Sequence, residues 1–457
     1  MVPEKTARGL AEFVAGLRYE DIPAEATEKA KQFVLDVIRL SVLGSKLPWG
    51  KYTRKVFQQM GGKKESTVIG FGDRLPAIHA AYVNGTTSHG LENDDTHVAA
   101  IHHPGVTVVP AVLAVAERQD LGGKALLRGM IAGYEVMIRL GVAMQPSLFG
   151  DRGFHSTAVM GHFGAAAGAA NLLGLSAEQT AHALAFAAAY ASGLANWLKG
   201  GMVKYIHAGK AAKAGVEAVL LAAGGVTGPR QIFEGKYGFC QAYANHFDLD
   251  KITSGLGREW QTVEVHLKPH CTSRHTQAAI EAAALIASEY NIQPANVASV
   301  EIRTSREMGE ALASAEPVDV IEAQSSIPFA VATGLFKGGT RTLKEFVLFE
   351  DIKKAMENPE VRSLAKRIQM RPDSSFDVQK GNAEVTIHLT DGPKYTKQVD
   401  IIRGSPENPF TKEELQQRFL VQAGAVLPKK KLAEVAHLID QLENVKKISA
   451  ITRLLHH

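Results

Sequence analysis

Cysteine is nearly absent: Cys240 and Cys271 are the only two in 457 residues. Two thiols cannot make a disulfide framework, and a reducing, cytosolic setting is the expectation. They also exclude an iron–sulfur cluster held by three or four cysteines of this chain. An excess of one charge is missing as well. Fifty-one Lys+Arg face 47 Asp+Glu, a net of +4 with no long basic block, so no nucleic-acid surface is expected. No uncharged apolar run reaches membrane-spanning length, because Glu, His, Lys and Gln interrupt the Ala-rich stretches. The opening MVPEKTARGLAEFVAGLRYEDIP carries acids and no long apolar core, so it does not read as a leader. Nucleotide and hydrolase signatures are lacking too. VIGFGDR is not GxGxxG, AAGGVTGPR lacks the GK[ST] ending of a phosphate loop, HExxH does not occur, and there is no serine elbow.

What remains is long and apolar enough for a large core: 45% of residues are hydrophobic, and the length predicts two or three domains. The first half spaces its apolar residues at helical intervals, as in TARGLAEFVAGL, TEKAKQFVLDVIRLSVLGS and ALLRGMIAGYEVMIRLGVAM. Glu135 and Arg139 stand four apart, a local ion pair. GHFGAAAGAANLLGLSAEQTAHALAFAAAYASGLANWL and HAGKAAKAGVEAVLLAAGGVTG are dense in Ala and Gly. Small residues cost helix propensity but let helix backbones approach closely. The pattern changes near residue 266. ASVEIRTS, AEVTIHLTDG and KYTKQVDII alternate as strands, with Asp391-Gly392 as a hairpin turn, while TQAAIEAAALIASEY and SLAKRIQM read as helices. Residues 266–402 are therefore expected to form a smaller α+β unit. Thr411 and Glu414 have capping-box spacing and begin a charged helical tail.

Against this bland background SHGLENDDTHVAAIHHPG (88–105) concentrates three acids and four histidines. Three readings are open. Asp94, Asp95 and His97 can ligate a metal, with His89, His102 or His103 completing the shell, although no metal spacing motif is matched. The stretch can be a polar structural loop. Or it can perform metal-free acid/base chemistry. Pro104-Gly105 turns the chain before the apolar helix VTVVPAVLAVAE and so holds the preceding histidines in place.

Three further stretches can meet this loop. GFHSTAVMGHFG places His155 before a small-residue helix that Ser156 or Thr157 can cap. GGMVKYIHAGKAAKAG supplies Lys204 and His207, which share a helix face at three residues apart; Lys210 and Lys213 read most simply as solvated. KPHCTSRH supplies Lys268, His270, Cys271, Arg274 and His275 where the composition changes, and domain junctions are common places for pockets. Trp197 reads as packing. Carboxylates and imidazoles that move protons, beside cations that neutralise an anion, suit removal of a proton next to a carboxylate. Such a site can dehydrate, decarboxylate or epimerise a small polycarboxylic acid.

At these residues the chain resembles the MmgE/PrpD family. The resemblance runs through NGTTSHGLENDDTH, HHPGVTVVPAVLAVAE, GYEVMIRLG, GFHSTAVMGHFGAAAGAANLLGL, MVKYIHAGKAAKAG, KPHCTSRHTQAA, IEAQSSIPFAVATGL and GSPENPFTKEEL, in family order and over nearly the whole chain. It implies a mainly α protein: an all-helical domain from both chain ends (1–265 and 403–457), a smaller α+β lid (266–402), and a homodimer. It also implies catalysis without a metal or other cofactor. Carried over, His103 and His155 match active-site histidines, Lys204 a pocket lysine and Thr96 a substrate-contacting threonine. The pocket is expected to be lined by the opening loop, His155, Lys204 and the Lys268–His275 segment. Two departures stand out. The usual LDFDDT reads LENDDT, placing Glu92 at the first aspartate, and Cys271 falls where animal decarboxylases have a pocket histidine.

The expectation is thus a cytosolic, cofactor-free lyase for a citrate-like acid, with 2-methylcitrate dehydration as the leading reaction. The catalytic set is His103, His155, Asp94 and Lys204. Glu92, Asp95, Thr96, His207, Lys268, Cys271, Arg274 and His275 are expected to contact the substrate. The alternatives are cis-aconitate decarboxylation, epimerisation of an iminodisuccinate-like acid, and a binding protein without activity.

Overall fold

The computed structural model describes residues 5–338 and 346–456. Helix accounts for 59% of the chain and strand for 8%, so the protein is mainly α. The main helices of the first half are α1 Lys5–Gly16, α2 Ala24–Gly44, α3 Pro48–Met60, α4 Ala77–His89, α5 Gly105–Arg118, α6 Gly123–Met144, α7 Ser156–Leu173, α8 Ala177–Tyr190 and α9 Val203–Ala223. Helix α7 is buried from Ser156 to Leu172, and α5 is buried over nearly its whole length. A helix apolar on all sides belongs at the centre of a large core.

The small residues set how closely these helices pack. A Cβ at Gly85 in α4 would lie 2.8 Å from the Gly209 Cα in α9, and one at Gly209 would lie 2.2 Å from the Tyr82 carbonyl oxygen. Only glycine permits that approach. Its consequence is functional, because the contact sets the C-terminal end of α4 (His89) against the first turns of α9 (Lys204 and His207).

Beyond residue 266 the chain forms α10 Gln277–Glu289, strand β1 Val297–Thr304, α11 Ile327–Lys337, α12 Pro359–Lys366, and strands β2 Ile368–Pro372, β3 Ala383–Leu389 and β4 Lys394–Val399. The sheet order is β2-β1-β3-β4, with β1 parallel to β2 and the other pairs antiparallel. Ile302 pairs with Met370 on one side and Val385 on the other. Val300, Ile302, Val385 and Ile387 pack into one apolar cluster with Ile280, Ala283 and Ile286 of α10. The Asp391-Gly392 turn closes the β3–β4 hairpin, with Gly392 at φ 107°. One expectation is corrected: SLAKRIQM is helical only to Lys366, and Ile368 begins a strand. Pairing of Ile368–Pro372 with β1 overrides the local helical pattern.

The tail forms α13 Lys412–Ala423 and α14 Lys429–Asp440. Its predicted capping box is present: Thr411 Oγ1 accepts the Glu414 N–H and the Glu414 carboxylate accepts the Thr411 N–H. The apolar side chains fall into two main clusters. One gathers residues of 7–267 with Phe346, Leu348 and 410–455, the other residues of 278–402. Among the described residues no helix is long and apolar enough to cross a membrane.

Candidate active site

The acid- and histidine-rich loop leaves α4 at His89 and turns back on itself through Glu92, whose φ of 54° is left-handed. A non-glycine residue adopts that conformation at a cost and holds it only where its surroundings insist. Here they do. The Glu92 carboxylate is hydrogen-bonded to Lys204 Nζ of α9 and lies 3.3 Å from Lys268 Nζ. Lys268 is also 3.0 Å from Asp94 Oδ1, and Asp94 Oδ2 lies 2.6 Å from His89 Nδ1. All five residues are buried. Two carboxylates and two ammoniums thus balance in one chain, Lys204–Glu92–Lys268–Asp94–His89.

Burial works to protonate both acids, but the lysines outweigh it at Glu92, and His103, Lys268 and His89 outweigh it at Asp94. Both carboxyls therefore sit well below the usual range. At Lys268 burial works to remove the proton, while Asp94 and Glu92 hold the ammonium above its ordinary value. An ion-pair chain this deep is tolerable because each charge has an opposite partner in contact.

Imidazoles close the other side. The His103 and His155 rings each lie 5.7 Å from that of His89, and His155 lies 5.1 Å from His207, with the two Nδ1 atoms 2.9 Å apart. His103 Nδ1 is 2.7 Å from the Asp95 carbonyl oxygen, which can only accept, so that nitrogen carries the proton. Thr96 Oγ1 lies 3.0 Å from the same atom, and Thr157 Oγ1 accepts the His103 backbone N–H. Burial lowers His103 and His207 to about 4 and holds His155 well below the usual imidazole value. At neutral pH His103 therefore holds a lone pair on Nε2 and can act as a base.

Trp197, expected only to pack, contributes directly: Lys204 Nζ lies 4.2 Å from its ring centroid, and His155 packs on it at 5.5 Å. His89, weighed in the sequence only as a metal ligand, is the hub of the cluster, and its Nε2 is buried without a partner. The signal for that role was its place five residues before Asp94.

The remaining expected residues point elsewhere. The Asp95 carboxylate accepts from Tyr134 Oη (2.7 Å) and from the Gly105 N–H at the start of α5. Burial, aided by Asp94, raises it to about 8 against those hydrogen bonds. Cys271 packs with Leu40, Trp49, Leu91, Tyr205 and Phe349, and burial pushes its thiol to about 11. Arg274 Nη2 donates to the Lys380 carbonyl. His275 is lowered to about 3 by burial and Arg274. Among the described residues, no side-chain hydrogen bond, ion pair or ring contact joins Cys271, Arg274 or His275 to the acid–lysine–imidazole cluster.

Two local expectations also change. Neither Ser156 nor Thr157 caps α7. Their hydroxyls are drawn across to the Ala100 carbonyl and the His103 N–H, and His155 occupies the cap position. Of the suggested metal donors, Asp95 bonds Tyr134 and His97 accepts the Ala100 N–H, whereas atoms of Asp94 and His103 lie within 4.8 Å of one another and of Glu92, which was not among those suggested. Lys268 lies beside both of those carboxylates and, together with Lys204, balances their charge.

The profile of the MmgE/PrpD N-terminal domain matches residues 8–252, and that of the C-terminal domain matches residues 270–444. A cis-aconitate decarboxylase-like protein of Aspergillus oryzae is 28% identical, over 98% of this chain and 96% of its own length. The cis-aconitate decarboxylase of Aspergillus terreus is 28% identical over 98% of this chain and 95% of its own, and that of Mus musculus 28% over 100% and 94%.

Proposed function

Because this chain belongs to the MmgE/PrpD family, we propose that it is a lyase that decarboxylates a small unsaturated polycarboxylate of the cis-aconitate kind. The names of the similar proteins move the preference from 2-methylcitrate dehydration to this reaction. The observation that carries the reading is the convergence of two ammoniums, Lys204 and Lys268, on the same buried point as the neutral imidazoles His103 and His155.

Lys204 and Lys268 hold substrate carboxylates in exchange for part of their contact with Glu92. The departing carboxylate leaves as carbon dioxide, and its bonding electrons shift across the adjacent double bond. An imidazolium, His103 or His155, delivers the proton that ends the charge on carbon. Protonation of that imidazole is favoured once the polyanion is bound, since the empty cluster is already electrically balanced. Ammoniums placed where enolate-like charge develops supply the electrostatic stabilisation. Asp94 and His89 keep Lys268 and the neighbouring rings in position, and Thr96 orients His103. Because the carboxylates carry their own lysine counter-charges, no metal is required by this scheme. Retention of activity in chelator, with no stoichiometric ion by elemental analysis, tests that point.

Methylcitrate dehydration would use the same His103 Nε2 as base, and epimerisation the same pair of imidazoles. A mass-spectrometric panel of cis-aconitate, 2-methylcitrate, citrate and an iminodisuccinate analogue separates them. Carbon dioxide release from cis-aconitate is the expected result. Loss of water from methylcitrate, or solvent deuterium entering an acid of unchanged composition, would replace it with the other reactions. Turnover of none of the four favours a binding protein. The homodimer and the cytosolic location are further proposals of this reading, tested by sedimentation and by fractionation of the source cells.

A further inference from the structure

The buried face of α13 is Leu415, Arg418, Phe419 and Gln422, packed against α2. A guanidinium is out of place there. Arg418 is 1% exposed, and its Nε and Nη1 have no partner. The nearest carboxylate oxygen, Asp36 Oδ1, is 4.0 Å away and is already taken by Arg39 Nε and Nη2 at 3.0 and 2.7 Å. Burial, with Arg39 beside it, lowers Arg418 to about 9. As filler, an apolar side chain of the same volume would serve at least as well, since replacing a buried charge in this way is commonly neutral or stabilising.

What Arg418 does engage is the backbone behind the acid–lysine cluster. Its Nη2 donates to Asn93 Oδ1 and to the carbonyls of Lys268 (2.8 Å) and Pro269 (3.4 Å). Asn93 Nδ2 in turn donates to the carbonyls of Lys268 (2.8 Å) and His270 (2.9 Å). Asn93 stands between Glu92 and Asp94 in sequence, so one guanidinium ties the loop bearing both acids to the segment bearing Lys268. We propose that Arg418 is a positioning residue: through Asn93 and the Lys268 carbonyl it fixes the Lys268 ammonium between Glu92 and Asp94. This rests on Lys268 being the substrate-facing cation proposed above.

The test uses the full chain carrying Arg418→Met, with Asn93→Ala as the second variant should the first not fold. Lysine exposure is read by acetic-anhydride footprinting with mass spectrometry, with Lys31 of α2, paired to Glu28 and to Glu443 of the tail, as internal control. Melting temperature and kcat/KM on the turned-over acid complete the set. A melting point within a few degrees of wild type is expected, with Lys268 acetylation rising about tenfold over an unchanged Lys31, as local opening predicts. In the wild-type background kcat/KM falls about 100-fold, the scale of a misplaced catalytic group. In a Lys268→Met background Arg418→Met adds no further loss. Equal rises at Lys268 and Lys31, or losses that multiply, would overturn the proposal. If wild type turns over none of the acids, the reaction reading falls, and the footprint alone still decides the role of Arg418.

Discussion

The loop from His89 to His103 carries four histidines and three acids, the segment from Lys268 to His275 two histidines and two cations, and the fold treats the two differently. In the loop, His89, Glu92, Asp94 and His103 converge on one point. In the segment only Lys268 arrives there. His270 Nδ1 accepts the Val347 N–H, Cys271 enters an apolar cluster, and Arg274 bonds a backbone carbonyl. The loop is irregular and reversed at Glu92, which brings His89, Glu92, Asp94 and His103 to one side while Asp95 faces Tyr134. The segment is pinned along its length to separate partners, through Leu267 N–H to Gly404, Cys271 N–H to Val347 and Ser273 N–H to Gln324, and it spends its side chains on different neighbours. Density of reactive residue types marks where to look; the backbone path decides which of them meet.

The sharpest way to break this contrast is inside the loop itself. Asp94→Asn removes the partner of both Lys268 and His89, and kcat/KM is expected to fall by about 10³-fold or more, the scale of losing a preorganised electrostatic group. Adjacent Asp95→Asn should cost activity only a few-fold, because Oδ1 of asparagine still accepts from Tyr134 and Gly105. Its stability should also rise relative to wild type with pH. The Asp95 carboxyl holds its proton to about 8 in the folded chain but to about 3.9 unfolded, so its unfavourable contribution grows between those values. Chemical denaturation at pH 5 and pH 8 reads the difference.

Next in size, His103→Ala and His155→Ala should each lower kcat by about 10²–10⁴-fold, the range of general acid–base catalysis. Unchanged turnover in both would remove them from the mechanism. Acid should then expose the histidines collectively. His97, His103 and His207 titrate at about 4 in the fold and at about 6.5 when unfolded. Protons therefore bind the unfolded chain first as pH falls. Stability is full above about 6.5 and declines toward 4, by on the order of 3 kcal/mol for an imidazole as buried as His97. Melting curves across that window check it, and replacing His97 with Asn should flatten the decline. The smallest effects belong to the other segment: Cys271→Val and Arg274→Met should leave kcat/KM within about threefold. Alkylation of Cys271 should be slow, given a thiol pushed up to about 11 by burial.

The mainly α class, the hairpin at Asp391-Gly392 and the capping box at Thr411 were legible because each depends on a few neighbouring residues. The same holds for Lys204 and His207, which one helix face presents together. Features made by distant residues were not. Nothing local marks Trp197 as the surface beneath Lys204, or Asp95 as turned toward Tyr134 on α6. Ile368–Met370 looked helical because its strand character comes from β1 across the sheet. Arg418, in a charged tail more than three hundred residues from Asn93, offers no sequence cue at all.

That distance governs how the molecule is assembled. Helix α2 must keep its flank open to solvent while the β1–β4 sheet and its helices are synthesised, because the apolar residues of α13 and α14 that cover it come later. Contacts between such remote parts of a chain carry a large loop-closure cost and form late. The nascent chain therefore displays an unfinished helical surface for most of its time on the ribosome. Transient shielding by a chaperone, or a slow final docking phase in refolding, is the expected companion of this topology. Deleting the segment from Thr411 onward should yield aggregate.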